Sequence, residues 1–513
     1  MSPASTAVPK TFMQRLLDVV EAAGNRVPHP AVIFLGLIGI VVVLSHLLYL
    51  AGTSVSYQVV NPDTHEVEQA TSTARSLLTV DGIRFMFTSV VQNFMSFNAV
   101  GVIIVAMVGV GVAEEAGLVK ALIRKLVLVS PPAALTYILV FVGIVSSIAA
   151  DAGYLVLIPL AAAAFISVGR HPLAGLAASF AGVAAAFGVN VLIKPLDGIL
   201  TEITNDAIHL LNPAISIDLT ANFWFSVASV ILLTVVIALI TERMIEPRLG
   251  AYEEEAPVEE GEEMSAEESR GLRHASYALL ATLVLFALLT LPAGAPLRNP
   301  ETGAIVGRSP LMDGLIVVIA VVFLAMGTAY GAAAGTMKSS IDVINAITKT
   351  IAGLSGLIFL LLIISQFLAY FNYSNMATLA AVKLAGALRS ANLPALLLLV
   401  GFVVVVFVLD LIITGAIPKW AIFAPIFVPL LMKLNVAPEA VLAAYRVGDS
   451  PVNAITPLNA YFAMIVAFAQ RYQKDAGVGT VVALMLPYVA IISVLWLLLL
   501  VIWYLLGLPW GLG

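Results

Sequence analysis

The 513-residue chain has no cysteine, which removes disulfides, thiolate metal sites and cysteine nucleophiles together and leaves the compartment open. Histidine is sparse: the six, at 29, 46, 65, 171, 209 and 274, are scattered with no pair at ligand spacing, so a histidine-built metal site is not expected. Charge is scarce as well, at 11% of residues, and the net charge of −6 does not describe a binding surface. Much of the acidity lies in one run, EPRLGAYEEEAPVEEGEEMSAEESR, which reads as a loop. A P-loop and a G-x-G-x-x-G in nucleotide-binding context are both lacking, so ATP, nucleic acid and cofactors stay out of the reading. Gly-rich stretches such as GVIIVAMVGVGVAEEAG then signify close helix packing.

What is abundant is apolar sequence, 61% of residues with a mean hydropathy of +1.03. Such a chain is an all-α polytopic membrane protein. The first apolar run, AVIFLGLIGIVVVLSHLLYLA, has the length of a full span and follows KTFMQRLLDVVEAAG. Residues 1–30 are therefore read as a cytoplasmic interfacial helix and not as a cleaved signal peptide. Simple spans are expected near 31–51, 98–115, 222–241, 275–292, 314–332, 353–372 and 479–508. Lys10, Arg15, Arg26, Lys120, Arg124, Lys125, Arg243, Arg248, Arg270, Arg273, Lys338, Lys349, Arg471 and Lys474 all fall inside in one topology. Lys383 and Arg389 are its exceptions. Glu114 and Glu115, at the end of the second span, are expected in water.

Two apolar regions, 126–211 and 394–470, are too long for one helix and are interrupted by Pro, Gly, Asp and Asn. They echo each other. Pro159, Pro172 and Gly182 match Pro425, Pro438 and Gly448 at one offset of 266 residues, Val189-Asn190 matches Val452-Asn453, and Pro195-Leu196-Asp197 matches Pro457-Leu458-Asn459. An odd number of crossings between the copies inverts the second, and inverted repeats with Gly/Pro-broken segments are the mark of secondary transporters. The expected halves are 31–241, with a re-entrant hairpin at about 126–168 and a broken helix at 172–211, and 275–513, with a hairpin at about 394–433 and a broken helix at 438–470. An acidic cytoplasmic linker, 242–274, joins them.

Broken helices at membrane depth free carbonyls for cations and half-helix N-termini for anions. Asn190, Asp197, Thr201 and Glu202 gather at the first break; Asp449, Ser450, Asn453, Thr456 and Asn459 gather at the second. Hard oxygen donors suit Na⁺, with a site expected near Asn190, Asp197, Asp449 and Asn453, and a desolvated Asp suits H⁺. The spacing leaves both open. Arg446 and Asp449, three apart on a helix, form either a plain ion pair or a site in which Asp449 handles the ion and Arg446 an acidic substrate. Lys194 and Asp197 could pair likewise. Asp151 and Asp410 lie near the hairpin tips, capping an arm or facing a cavity. Trp420 is an interfacial anchor or a platform for an aromatic substrate.

The block YRVGDSPVNAITPLNAYF, with DLIITGAIPKWAIFAPIFVPLL upstream and DAGYLVLIPLAAAAF and VNVLIKPLDGILTEIT in the first half, resembles the AbgT family of p-aminobenzoyl-glutamate transporters over essentially the whole chain. The resemblance implies nine transmembrane helices and two hairpins per protomer in a bowl-shaped homodimer of a bacterial inner membrane. It also implies cation-coupled movement of p-aminobenzoyl-glutamate and efflux of sulfonamides. Carried over position by position, the family's functional aspartates fall on Asp197 and Asp449, its tryptophan on Trp420, and its arginine and prolines on Arg446, Pro438 and Pro457. Ile417 stands where the pattern has a polar residue, so Thr414, beside Gly415 at the hairpin tip, is the substitute.

The expectation is thus a secondary transporter, not an enzyme, moving an aromatic anion or sulfonamide with H⁺ or Na⁺. Three rivals stand beside it: a Na⁺/dicarboxylate carrier, an intramembrane hydrolase using Asp151 and Asp410 as paired carboxylates, and a channel.

Overall fold

The computed structural model describes residues 28–60, 67–148, 153–252, 264–306, 309–390, 394–411 and 415–512. The expected N-terminal interfacial helix, Asp151 and Thr414 lie outside them. The first span, α1 (Pro30–Leu50), starts on a proline and is capped by His29, whose ring accepts from the Ala31 amide. An antiparallel β-hairpin follows, β1 (Ser54–Val60) with β2 (Val67–Thr73), pairing Ser54 with Thr73. Two short helices, α2 (Val80–Thr88) and α3 (Val90–Met95), lead into the second span, α4 (Asn98–Glu115).

After α4 comes α5 (Leu118–Leu128), apolar on one face only, and the chain then bends by 116° at Pro131-Pro132. The first hairpin begins there and not at 126, because two consecutive prolines end α5 and start the next arm. Its arms are α6 (Leu135–Ser146) and α7 (Gly153–Ser167). The helix behind it is broken into α8 (Pro172–Ala185) and α9 (Pro195–His209). Pro195 brings this about locally: it has no N–H and holds Lys194 in an extended conformation, φ −114° and ψ 161°.

The third simple span, α10 (Phe223–Leu249), runs past 241, and the fourth, α11 (Ala266–Thr290), starts before 275. The linker is correspondingly shorter than 242–274. At one end Arg170 pairs with Glu246 at 2.6 Å; at the other Ser265 and Glu268 form a reciprocal cap that starts a helix inside charged sequence. The spans α12 (Leu315–Ala334) and, after the amphipathic α13 (Ser340–Gly353), α14 (Ser355–Tyr373) follow. Here α4 packs against α12 and α12 against α11. A Cβ on Gly109 would overlap the Ala320 backbone, and one on Gly327 would lie 2.7 Å from Ala113, so the glycines permit that approach. Glu115 pairs with the exposed Lys349 at 2.7 Å.

Helix α15 (Met376–Ser390) packs on the β-hairpin, which puts Lys383 on that side. The second hairpin has arms α16 (Ala395–Asp410) and α17 (Ala416–Met432). Gly415 lies at its tip with φ +93°, a conformation that needs glycine. The second broken helix is α18 (Pro438–Asp449), a 3₁₀ turn over Pro451–Ala454, and α19 (Phe462–Gln470), before the last span α20 (Val478–Leu505). The seven simple spans, Pro30–Leu50, Asn98–Glu115, Phe223–Leu249, Ala266–Thr290, Leu315–Ala334, Ser355–Tyr373 and Val478–Leu505, fall where hydropathy places them. The π turn Ala181–Ala185 that ends α8 packs against the 3₁₀ turn Pro451–Ala454, so the two breaks meet in the core.

Candidate transport site at the paired helix breaks

The first break wraps the end of hairpin arm α6, whose last carbonyls have no partner within the helix. Asn190 Nδ2 supplies one, donating to Ile144 O at 3.2 Å, Val145 O at 3.1 Å and Ser147 Oγ at 3.1 Å. The ammonium of Lys194 is buried in the same place, donating to Ser147 Oγ at 3.2 Å and to the Phe187 carbonyl, 4.6 Å from the Phe187 ring centre. Lys194 therefore does not pair with Asp197 through its side chain. Its backbone N–H donates to Asp197 Oδ2 at 2.8 Å, capping α9, while the ammonium turns to the hairpin.

Asp197 Oδ1 instead accepts from Arg446 Nη1 at 2.6 Å, across the two halves. The guanidinium also donates to the Gly188 carbonyl at 2.7 Å and to Asn222 Oδ1 at 3.2 Å. Ser450 Oγ accepts from the Gly188 amide at 2.9 Å and donates to Arg446 O at 2.8 Å. Gly188 is thus held on both sides by the second half, and a Cβ there would overlap Ser450 Oγ. Of the two readings of the Arg446–Asp449 spacing, the plain ion pair does not form, because the planar fork of the arginine is taken up by three acceptors of the first half.

Asp449 belongs to a different cluster. Its Oδ1 lies 2.6 Å from Lys419 Nζ and accepts from Tyr445 OH at 2.9 Å. Lys419 also forms a close ion pair with Asp410 at the end of arm α16, and both are 0% exposed. Around Lys419, therefore, α16 supplies Asp410 and α18 supplies Asp449 and Tyr445, two carboxylates against one ammonium.

Other expected residues serve the backbone. Asn453 Nδ2 donates to Asp449 O at 3.2 Å, and Asn459 Nδ2 donates to Asn453 O at 2.8 Å. Thr456 is buried with a long 3.5 Å contact to Leu411 O. Pro438 opens α18, and Pro457 follows Thr456 in the irregular stretch before α19. Trp420 is neither an interfacial anchor nor an open platform in this conformation. It is fully buried, donates from Nε1 to Leu200 O at 3.1 Å and Thr204 Oγ1 at 3.0 Å, and packs on Tyr445 with ring centres 4.6 Å apart.

Of the four residues expected near Na⁺, Asn453 serves the Asp449 carbonyl, and the others have partners of their own in this conformation. The Asn190 amide faces hairpin oxygens with its donor, and each aspartate already faces a resident cation, Arg446 or Lys419. Among the described residues, no group of three His, Asp or Glu side chains could hold a metal. The cavity beside Asp197 and Arg446, lined also by Asn190, Thr201, Asn222 and Ser226, has about 20 Å³. That is room for a water and not for an aromatic ring. Glu202 sits half-buried on α9, beside Thr201.

Lys419 and Tyr445 were missed as site residues by sequence reasoning. Lys419 had a signal, since a lysine within an apolar run at membrane depth is costly and needs a partner; it was overshadowed by Trp420 next to it. Tyr445 had none beyond its place four residues before Asp449.

A model of the family described as "AbgT putative transporter family" matches residues 15–513. The p-aminobenzoyl-glutamate transport protein of Escherichia coli (strain K12) is 34% identical over 499 residues, covering 97% of this chain and 96% of that one. Among solved structures, the YdaH transporter of Alcanivorax borkumensis, which has an unusual topology, superposes with a TM-score of 0.87 at 40% identity, over 94% of this chain and all (100%) of that one. MtrF of Neisseria gonorrhoeae, which represents a class of antimetabolite efflux pumps, gives a TM-score of 0.91 at 38% identity, over 97% of this chain and 100% of that one.

Proposed function

The chain belongs to the AbgT family, a family of transporters and not of enzymes, and from that premise we propose that it is an ion-coupled secondary transporter of p-aminobenzoyl-glutamate-like aromatic anions, sulfonamide antimetabolites, or both. The observation that carries the reading is the Arg446 bridge. One side chain of the second half holds Asp197 and the Gly188 carbonyl of the first, tying the two helix breaks together. A contact of this kind between the two repeats suits alternating access around the site. A cavity of about 20 Å³ fits a conformation closed around it.

Proton coupling is the form the charges favour. Asp410 and Asp449 are two buried carboxylates that share the single ammonium of Lys419, and intramembrane carboxylates of this kind are groups on which a coupling proton can ride. Tyr445 OH, placed between Ala416 O at 2.5 Å and Asp449 Oδ1 at 2.9 Å, completes the surroundings of the Asp449 carboxyl.

The same reading includes a homodimer in a bacterial inner membrane with the N-terminus in the cytoplasm. Arg124 on Glu268 and Arg170 on Glu246 support that orientation, gathering positive charge beside the connection between the halves. Counterflow in proteoliposomes with labelled p-aminobenzoyl-glutamate and a sulfonamide, under imposed H⁺ or Na⁺ gradients, tests it. Movement of either compound driven by a pH gradient is expected. No movement under any gradient overturns the substrate assignment.

A further inference from the structure

Away from the breaks, on the side of the β-hairpin, lies a chamber of about 560 Å³ lined by Arg75, Phe85, Asn93, Asp206, Asn372 and Tyr373 among others. Its volume is that of a small-molecule site, where the cavity at the breaks takes a water. The chamber wall is pinned in place. The Arg75 amide donates to Ser374 O at 3.2 Å, Asn375 Nδ2 donates to Thr73 O at 2.8 Å, and the Leu77 amide donates to Ser45 Oγ at 3.2 Å, fastening the segment after β2 to α1 and to the turn between α14 and α15. Asn375 reaches that contact with φ 58°, a left-handed conformation that asparagine tolerates.

The pinned segment holds Arg75 flat, its guanidinium carbon 4.0 Å from the Tyr373 ring centre, and Tyr373 stacks in turn on Phe85 at 4.4 Å with planes 15° apart. The stack covers a face of the guanidinium and leaves its in-plane N–H groups free. Among the described residues no carboxylate pairs with Arg75, and no cation pairs with Asp206. Asn93 is fixed by donating to Gln366 Oε1 at 2.8 Å. One wall thus offers an oriented, unpaired cation and another an unpaired carboxylate.

We propose that this chamber is a second binding site, which takes an aromatic carboxylate through the Arg75 fork while Asp206 accepts from N–H groups at the ligand's other end. The proposal rests on the transport reading and makes the chamber a station on the route. Asp206 lies nine residues beyond Asp197 on α9, about 13 Å along the axis, and Pro425 lines the chamber six residues beyond Lys419 on α17, about 9 Å along. The two elements that carry the site therefore also wall the chamber.

Equilibrium binding of labelled p-aminobenzoyl-glutamate to the purified full chain, alongside counterflow flux, tests it. Wild type is expected to bind two ligands per chain. Arg75→Gln should lose one of them, with affinity at that site falling about tenfold or more. Asp449→Asn should keep the Arg75 site while losing coupled flux, and uncharged p-aminobenzamide should not fill it. Asp206→Asn is the second variant, expected to weaken the same site severalfold should Arg75→Gln reduce thermal stability. Unchanged stoichiometry and affinity in both variants overturns the chamber, and if flux is normal the transport reading survives that failure. Arg75-dependent binding without flux under any gradient sinks the transport reading and leaves the chamber standing as a binding site.

Discussion

At the first helix break the buried ammonium of Lys194 donates its hydrogen bonds to neutral oxygens, of Ser147 and the Phe187 carbonyl, whereas at the second the ammonium of Lys419 sits against two carboxylates. The backbone device is the same in both halves: a hairpin tip against a Gly/Pro-broken helix. Its charge is opposite. Setting aside the neutral Asp197–Arg446 bridge between them, the first break is positive by one and the second negative by one. On the transport reading proposed above, the two breaks would divide the labour, the Lys194 side serving an anionic substrate and the Lys419 side the coupling proton.

The comparison breaks first at Lys419. Lys419→Met leaves Asp410 and Asp449 facing each other in a buried place, and the expected loss is about 3–5 kcal/mol of stability, read as a fall in the thermal midpoint of the purified protein. Adding Asp410→Asn should restore most of it. If the single substitution is neutral, the second break is not held together by charge.

Function separates the two sites next. Asp449→Asn is expected to abolish the response to a pH gradient while exchange of labelled substrate continues. Lys194→Met should leave the pH response intact and weaken apparent affinity for an anionic substrate by about tenfold, the scale of one lost charge-assisted contact. The opposite assignment of these two phenotypes would reverse the division of labour. Arg446→Lys keeps the charge but not the fork, so one of the contacts to Asp197, Gly188 and Asn222 is lost at least; flux should drop by about tenfold with the protein still folded.

The smallest effects contrast the two asparagines. Asn190→Ala removes a donor that serves three oxygens of the first hairpin, at an expected cost of about 1–3 kcal/mol. Asn453→Ala removes one contact of 3.2 Å, costing about 0.5–1.5 kcal/mol. Denaturation of the two variants in the same detergent compares them directly.

Much of the fold is legible in the sequence because a bilayer imposes a length on every apolar helix, and Pro195 and Pro457 mark the stretches where a helix is interrupted. The ends of the connector were less so. Hydropathy falls at 241, but Glu246 finds Arg170 and the helix runs on to Leu249. At the site, residue types and positions were readable and partners were not. Spacing along one helix offered Asp449 to Arg446 and Asp197 to Lys194, whereas the partners actually formed come from elsewhere in the chain: Asp197 for Arg446, Lys419 for Asp449, and Ser147 for Lys194. A pattern of three or four residues reports the face of its own helix, and says nothing of the hairpin packed against it. Trp420 shows the same limit, since its place past a hairpin tip was read as exposure while its N–H is spent on α9.

The division of labour is tested most directly by substrate-driven proton movement in proteoliposomes that contain a pH dye, measured for wild type, Lys194→Met and Asp449→Asn without Na⁺. The account predicts proton movement with substrate in wild type and in Lys194→Met at raised substrate concentration, and substrate exchange with no proton movement in Asp449→Asn. Proton movement undiminished in Asp449→Asn, or absent from a wild type that requires Na⁺, would contradict it.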